Sequence, residues 1–229
     1  MITVENLSKI YQDKNQTVKA FENINLEVAQ GDFLIFTGRS GSGKTTLISV
    51  MGGLTRPTTG KVLMDGIDLW TLSEPELARV RNEKFGFIFQ FASLIPTLRV
   101  IDNLLLPLSF GGKRPTLEDQ NRARQLLETV EISDKEQSFP SQLSGGQQRR
   151  VAIARSLINK PDVLFIDEPT GDLDEKTEQA IMQLFKKINE QGTTIVMVTH
   201  ALDYAHIGNK VMTMRNGVLT PYEKGGELI

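Results

Sequence analysis

Apolar and polar residues alternate in short runs through the first third of the chain, with turn residues between them. Residues 2–7, 24–28, 33–37 and 61–64 read as strands, punctuated by Gln30-Gly31-Asp32 and Asp65-Gly66. Residues 84–90 alternate with Phe85, Phe87 and Phe89 on one side, which predicts a strand ending at Gln90. The period then changes. Ala123, Leu126, Leu127 and Val130 fall at i, i+3, i+4, i+7, the stripe of an amphipathic helix. Ile181, Leu184, Phe185 and Ile188 repeat that spacing, and Gly192 is placed to end their helix. Two uninterrupted apolar runs, residues 163–166 and 195–198, suit strands buried on both faces of a parallel sheet. The alternation of strand and helix at both ends predicts an α/β core built from residues 1–90 and 160–229. The insert over about residues 91–159 reads as a helical subdomain.

Composition narrows the partners more than the fold. At 229 residues, 39% hydrophobic and 24% charged, the chain has the make-up of one globular domain. A net charge of −2 gives no electrostatic footprint for nucleic acid. The absence of cysteine removes disulfides and thiolate metal sites. No run approaches the roughly 20 apolar residues that span a bilayer. Met1-Ile2-Thr3-Val4-Glu5 has neither the basic nor the apolar section of a signal peptide. Any membrane role is therefore expected to pass through a separate chain.

The chemistry begins at Gly38-Arg39-Ser40-Gly41-Ser42-Gly43-Lys44-Thr45, which fits G-x-x-x-x-G-K-[ST] at every required position. The apolar residues 33–36 precede it, and residues 45–52, which include Thr46, read as a helix. Glycines let the backbone curl so that successive N–H groups face one set of phosphate oxygens, and the helix adds its positive end. Lys44 then reaches the β- and γ-phosphates and the Thr45 hydroxyl reaches Mg²⁺. The motif predicts a nucleoside triphosphate site and leaves the class of enzyme open.

Leu143-Ser144-Gly145-Gly146-Gln147, followed by a helix-like stretch over residues 148–158, resembles the signature of the ABC ATPase family letter for letter. Other pieces of the chain are similar to that family in the same order. Residues 163–166 with Asp167 and Glu168 resemble its Walker B strand: Asp167 would hold Mg²⁺ through water, and Glu168 would act as general base on the attacking water. Pro169-Thr170-Gly171-Asp172-Leu173-Asp174 resembles the D-loop that crosses the dimer interface. Gln90 matches the glutamine that senses Mg²⁺ and γ-phosphate, and His200 the histidine that contacts γ-phosphate. Tyr11 stands where the family stacks an aromatic on adenine.

The resemblance implies a P-loop cassette with a mostly parallel core sheet, an antiparallel N-terminal β part and a helical subdomain. It implies ATP as substrate, Mg²⁺ as cofactor, and a second cassette, most simply a second copy, since each phosphate loop faces the other copy's signature helix. It also implies a transmembrane permease on a separate chain and a place on the cytoplasmic face of the membrane.

The stretch Phe87-Ile88-Phe89-Gln90, with Leu94-Ile95-Pro96-Thr97-Leu98 after it, is similar to the lipoprotein-release, macrolide-export and cell-division branch (LolD-, MacB- and FtsE-like). That likeness implies that residues 91–96 help form the groove for a permease helix. A soluble or regulatory ABC ATPase, of the iron–sulfur-assembly or cell-division kind, is the alternative. Three positions depart from the branch pattern: Arg39 replaces a common Pro, Arg149 a common Gln, and Ala201 an Asp. None of them removes a phosphate or Mg²⁺ ligand.

Overall fold

The computed structural model describes residues 1–13, 16–110, 114–171 and 173–222. In chain order, strands β1 (Ile2–Asp13) and β2 (Gln16–Val28) lead to β3 (Phe33–Thr37), helix α1 (Lys44–Met51), and strands β4 (Thr59–Met64) and β5 (Ile67–Asp68). Helix α2 (Glu74–Lys84) and strand β6 (Phe85–Ile88) come next, then helices α3 (Val100–Leu105), α4 (Leu117–Thr129) and α5 (Gly145–Ser156). Strand β7 (Val163–Asp167), helix α6 (Glu175–Glu190) and strands β8 (Thr194–Val198), β9 (Lys210–Arg215) and β10 (Val218–Pro221) complete the order.

The strands form two sheets. One is antiparallel, in the order β2-β1-β4-β5, and the other runs β10-β9-β3-β8-β7-β6. Within the second, β9, β3, β8, β7 and β6 pair in parallel, and only β10 runs against its neighbour. The expected α/β architecture with an antiparallel N-terminal part is the one observed, and helices α3, α4 and α5 lie between β6 and β7.

Period-2 side-chain alternation explains the apolar runs 33–36, 163–166 and 195–198 within β3, β7 and β8. Phe33, Ile35, Leu164, Ile166, Ile195 and Met197 join one core with helices α3 to α6. Their neighbours Leu34, Phe36, Val163, Phe165, Val196 and Val198 join a second core under the antiparallel sheet and α1. In that second core the Phe165 ring meets Phe85 edge-on at 5.3 Å and stacks on Phe87 at 5.6 Å.

Several boundaries differ from the sequence expectation: β1 runs on to Asp13 and β2 already begins at Gln16, beyond the expected residues 2–7 and 24–28. Strand β6 stops at Ile88, two residues before Gln90, and Lys84 is the last residue of α2. The physical reason for the early stop lies in Arg149, described below. Helix α2 itself carries no apolar stripe, since Leu77 is its one buried residue; a capping box between Ser73 and Glu76 holds its start.

Candidate functional site

The loop between β3 and α1 is built by close backbone approach. A Cβ on Gly38 would lie 2.3 Å from the Met214 carbonyl, and one on Gly43 equally close to that of Ala20, with both glycines at positive φ. No other residue type fits there without moving β9 or β2. The loop closes on the side chain of Lys44, which is only 5% exposed. Its ammonium donates to the carbonyls of Gly38 at 2.7 Å and Arg39 at 3.0 Å. Burial holds Lys44 below the usual lysine range, against the pull of Glu168 and Asp167.

The ends of β7 and β8 bring the carboxylates to this loop. Thr45, in the first turn of α1, donates its hydroxyl to Asp167 Oδ1 at 3.0 Å. Burial and the neighbouring Glu168 push the Asp167 carboxyl up, with the Thr45 bond opposing them. Glu168 leaves the strand in the left-handed region, φ 44°, a conformation seldom held by a non-glycine residue. Its N–H donates to the Val198 carbonyl at 3.0 Å, which fixes the turn. Its carboxylate then lies 2.7 Å from His200 Nδ1 and accepts the His200 N–H at 3.3 Å. Nothing in sequence spacing places His200 against Glu168; parallel pairing of β7 with β8 does.

These groups border one cleft of about 710 Å³, within the range of small-molecule sites. Ser40, Gly41, Gly43, Lys44, Thr45 and Thr46 form its floor, and Gln90, Glu168 and His200 one side. The β1–β2 hairpin supplies the other with Tyr11, Val18, Lys19 and Ala20. The last three had no motif to reveal them; they arrive because β2 pairs beside Tyr11. Tyr11 is 45% exposed, and Lys9 Nζ lies 4.7 Å from its ring centroid.

The oxygen donors fit a magnesium ion. Thr45 and Asp167 offer hard oxygens side by side, and Gln90 lines the same cleft. Magnesium takes one or two protein ligands and completes its shell with phosphate and water. Among the described residues no cluster of three His, Cys, Asp or Glu competes as a different kind of metal site.

Ser144, Gly145, Gly146 and Gln147 lie elsewhere, none of them bordering the cleft. Ser144 caps α5: its hydroxyl accepts the Gln147 N–H at 3.3 Å, and Gln147 Oε1 accepts the Ser144 N–H at 2.9 Å. Helix α5 therefore begins at Gly145, three residues earlier than its apolar pattern shows. Gly145 is exposed, with no atom within 4 Å of where a Cβ would sit. Asp174 caps α6, accepting from the Thr177 N–H at 3.0 Å and hydroxyl at 2.6 Å, and Thr177 holds its carboxyl below the usual range. Asp172 lies outside the described residues.

Residues 21–171 match the model of a family described as ABC transporter. The lipoprotein-releasing system ATP-binding protein LolD 1 of Chlorobium chlorochromatii is 45% identical over 196 residues, covering 85% of this chain and 80% of that protein. The macrolide export ATP-binding/permease protein MacB of Syntrophobacter fumaroxidans is 42% identical over 96% of this chain, but only 31% of its own length is matched. Among solved structures, a dimer of the ATP-binding cassette MJ0796 of Methanocaldococcus jannaschii, in a post-hydrolysis state with ADP and Pi, superposes with TM-score 0.88. That match has 39% identity and covers 98% of this chain and 100% of the other.

Proposed function

The chain belongs to the ABC transporter family as an ATP-binding, ATP-hydrolysing cassette, and on that premise we propose that two copies of it enclose two ATP molecules and drive a separate permease. The observation that carries this reading is the separation of the two anion-binding elements. The phosphate loop lines the cleft, whereas the open end of α5 at Ser144 and Gly145 does not. A single copy thus holds two halves of different sites. The MJ0796 cassette was captured as a dimer with ADP and Pi, and its fold matches this one over nearly the whole chain.

Each residue then has a task. Tyr11 offers its ring to adenine, and the N–H groups from Ser40 to Thr46 cradle the phosphates. The Lys44 ammonium exchanges two backbone carbonyls for phosphate oxygens. Magnesium, when bound by Thr45, Asp167 and Gln90, supplies neutralisation of the charge on those oxygens. Glu168 accepts a proton from the attacking water and orients it, with His200 fixing the carboxylate and facing the γ-phosphate. Ser144, Gly145, Gly146 and Gln147 of the partner copy close the site, beside Asp174 at the interface.

Permease coupling of the lipoprotein-release or macrolide-export kind is supported by the named relatives, one of which carries its permease in the same chain. No helix among the described residues is long and apolar enough to cross a membrane. The docking surface would be a groove of about 460 Å³ lined by Leu54, Phe87, Phe89, Pro107 and Phe110, between α2 and the helices of the proposed subdomain, residues 91–159. Phe110, 61% exposed, is its most accessible aromatic. Residues 91–96, expected to help form the groove for a permease helix, do not border this pocket, and Phe91 is 70% exposed. Arg155 donates to that segment through the carbonyls of Ala92 and Ser93. Phe110→Asp is expected to leave the ATPase rate of the isolated cassette unchanged and to abolish its stimulation by the co-purified permease. Undiminished stimulation in proteoliposomes would sink the groove assignment.

A further inference from the structure

Arg149 sits one turn into α5, just after the signature residues, and is only 5% exposed. Its guanidinium donates through Nη1 to the Phe89 carbonyl and through Nη2 to the Gln90 carbonyl. In an extended strand successive carbonyls point to opposite sides, so one fork cannot take both. The two bonds therefore define the place where the chain leaves β6, which ends at Ile88. Past Ile88 these carbonyls have left the β6–β7 ladder, and the guanidinium supplies their hydrogen-bond donors. The planar five-donor fork of arginine spans adjacent acceptors in a way that a single ammonium cannot.

A second arginine of the same helix extends the attachment. Arg155 donates through Nη2 to the Ala92 carbonyl at 3.1 Å and through Nη1 to the Ser93 carbonyl at 2.9 Å. Four backbone carbonyls of residues 89–93 are thus held by α5, the helix whose first turn carries Gly145, Gly146 and Gln147. Gln90 meanwhile faces the nucleotide cleft.

We propose that Arg149 is the positioning residue for Gln90. It fixes the backbone from which the Gln90 side chain reaches Mg²⁺ and the γ-phosphate, and it makes that glutamine move together with the signature helix. This rests on the reading of Gln90 as a magnesium contact. Arg149 does not border the nucleotide cleft; it acts through the carbonyls of Phe89 and Gln90. Contact between Gln90 and the bound metal would be passed directly to the turn that Ser144 caps.

The test compares Arg149→Met, which keeps the apolar stem and removes every donor, with Arg149→Lys, Gln90→Ala and the Arg149→Met/Gln90→Ala double variant. Equilibrium binding of a fluorescent ATP analogue is titrated with and without Mg²⁺, alongside steady-state hydrolysis. Arg149→Met is expected to bind the analogue normally without Mg²⁺, to lose about tenfold of the affinity that Mg²⁺ adds, and to lose kcat in proportion. Arg149→Lys, with one compact donor group, should fall between Arg149→Met and the parent. The double variant should be no worse than Gln90→Ala alone. Additive losses in the double variant would overturn the proposal, as would weakened metal-free binding in both Arg149 variants. If Gln90→Ala itself retains the full Mg²⁺ effect, the reading of Gln90 fails and takes the proposal with it. If Gln90→Ala loses the effect and Arg149→Met keeps it, only the role of Arg149 fails.

Discussion

Glu168→Gln is expected to lower the hydrolysis rate by about a thousandfold, the span of a lost general base, while leaving ATP affinity intact. The substitution keeps the shape that fits the left-handed turn after β7, and its amide oxygen can still meet His200 Nδ1. It removes the negative charge proposed to take a proton from water, and with it the repulsion between that charge and a bound γ-phosphate. Both changes favour the closed, ATP-loaded pair of cassettes. Phosphate release assays should show the loss of rate, and size-exclusion chromatography with Mg-ATP should show a dimer. A variant that stays monomeric at saturating ATP would count against the role given to Glu168.

The second large effect is expected at Gly145. An aspartate there has room, since nothing lies within 4 Å of its Cβ position, and an acidic side chain in the first turn of α5 is favourable for the helix. The thermal midpoint and the nucleotide affinity of the single copy should therefore remain close to the parent's. The cost appears only when the helix end meets another copy's γ-phosphate. Like charges brought together across an interface cost several kcal/mol, and about 3 kcal/mol is roughly a hundredfold in rate. Hydrolysis should fall by at least that factor with no loss of fold. Equal loss of thermal stability would point to damage within the copy, and intact hydrolysis would leave the signature without a trans role.

Local pattern made most of these elements legible. The phosphate loop, β3, β7 and β8 are short, contiguous and either glycine-rich or built on an unbroken run of four apolar residues, so each carries its own signal. The amphipathic stripe of α6 showed for the same reason, with its five buried residues spaced to one face. Helix α2 escaped because one buried leucine makes no stripe, although Ser73 and Glu76 spelled out its cap.

The site was legible as a set of residues and not as an arrangement. Thr45 and Asp167 meet because α1 follows β3 while β7 enters the same sheet two strands away. Val18, Lys19 and Ala20 enter the cleft only through the fold of the β1–β2 hairpin. Arg149 stood out merely as a departure from a family pattern. Its bonds to residues 60 and 59 positions earlier are long-range contacts that no window of sequence contains.

Whether each ATP is held between two copies can be read from a mixing experiment. Lys44→Ala removes the phosphate contact of one element, and Gly145→Asp disables the other. Each variant alone is expected to be inactive. In a mixed dimer, one site combines both lesions and the other combines an intact phosphate loop with an intact signature. With equal amounts of differently tagged copies, and mixed dimers verified by co-purification in ATP, activity should return to about a quarter of the parent's by random pairing. A mixture as inactive as its two components, despite verified mixed dimers, would contradict the shared site.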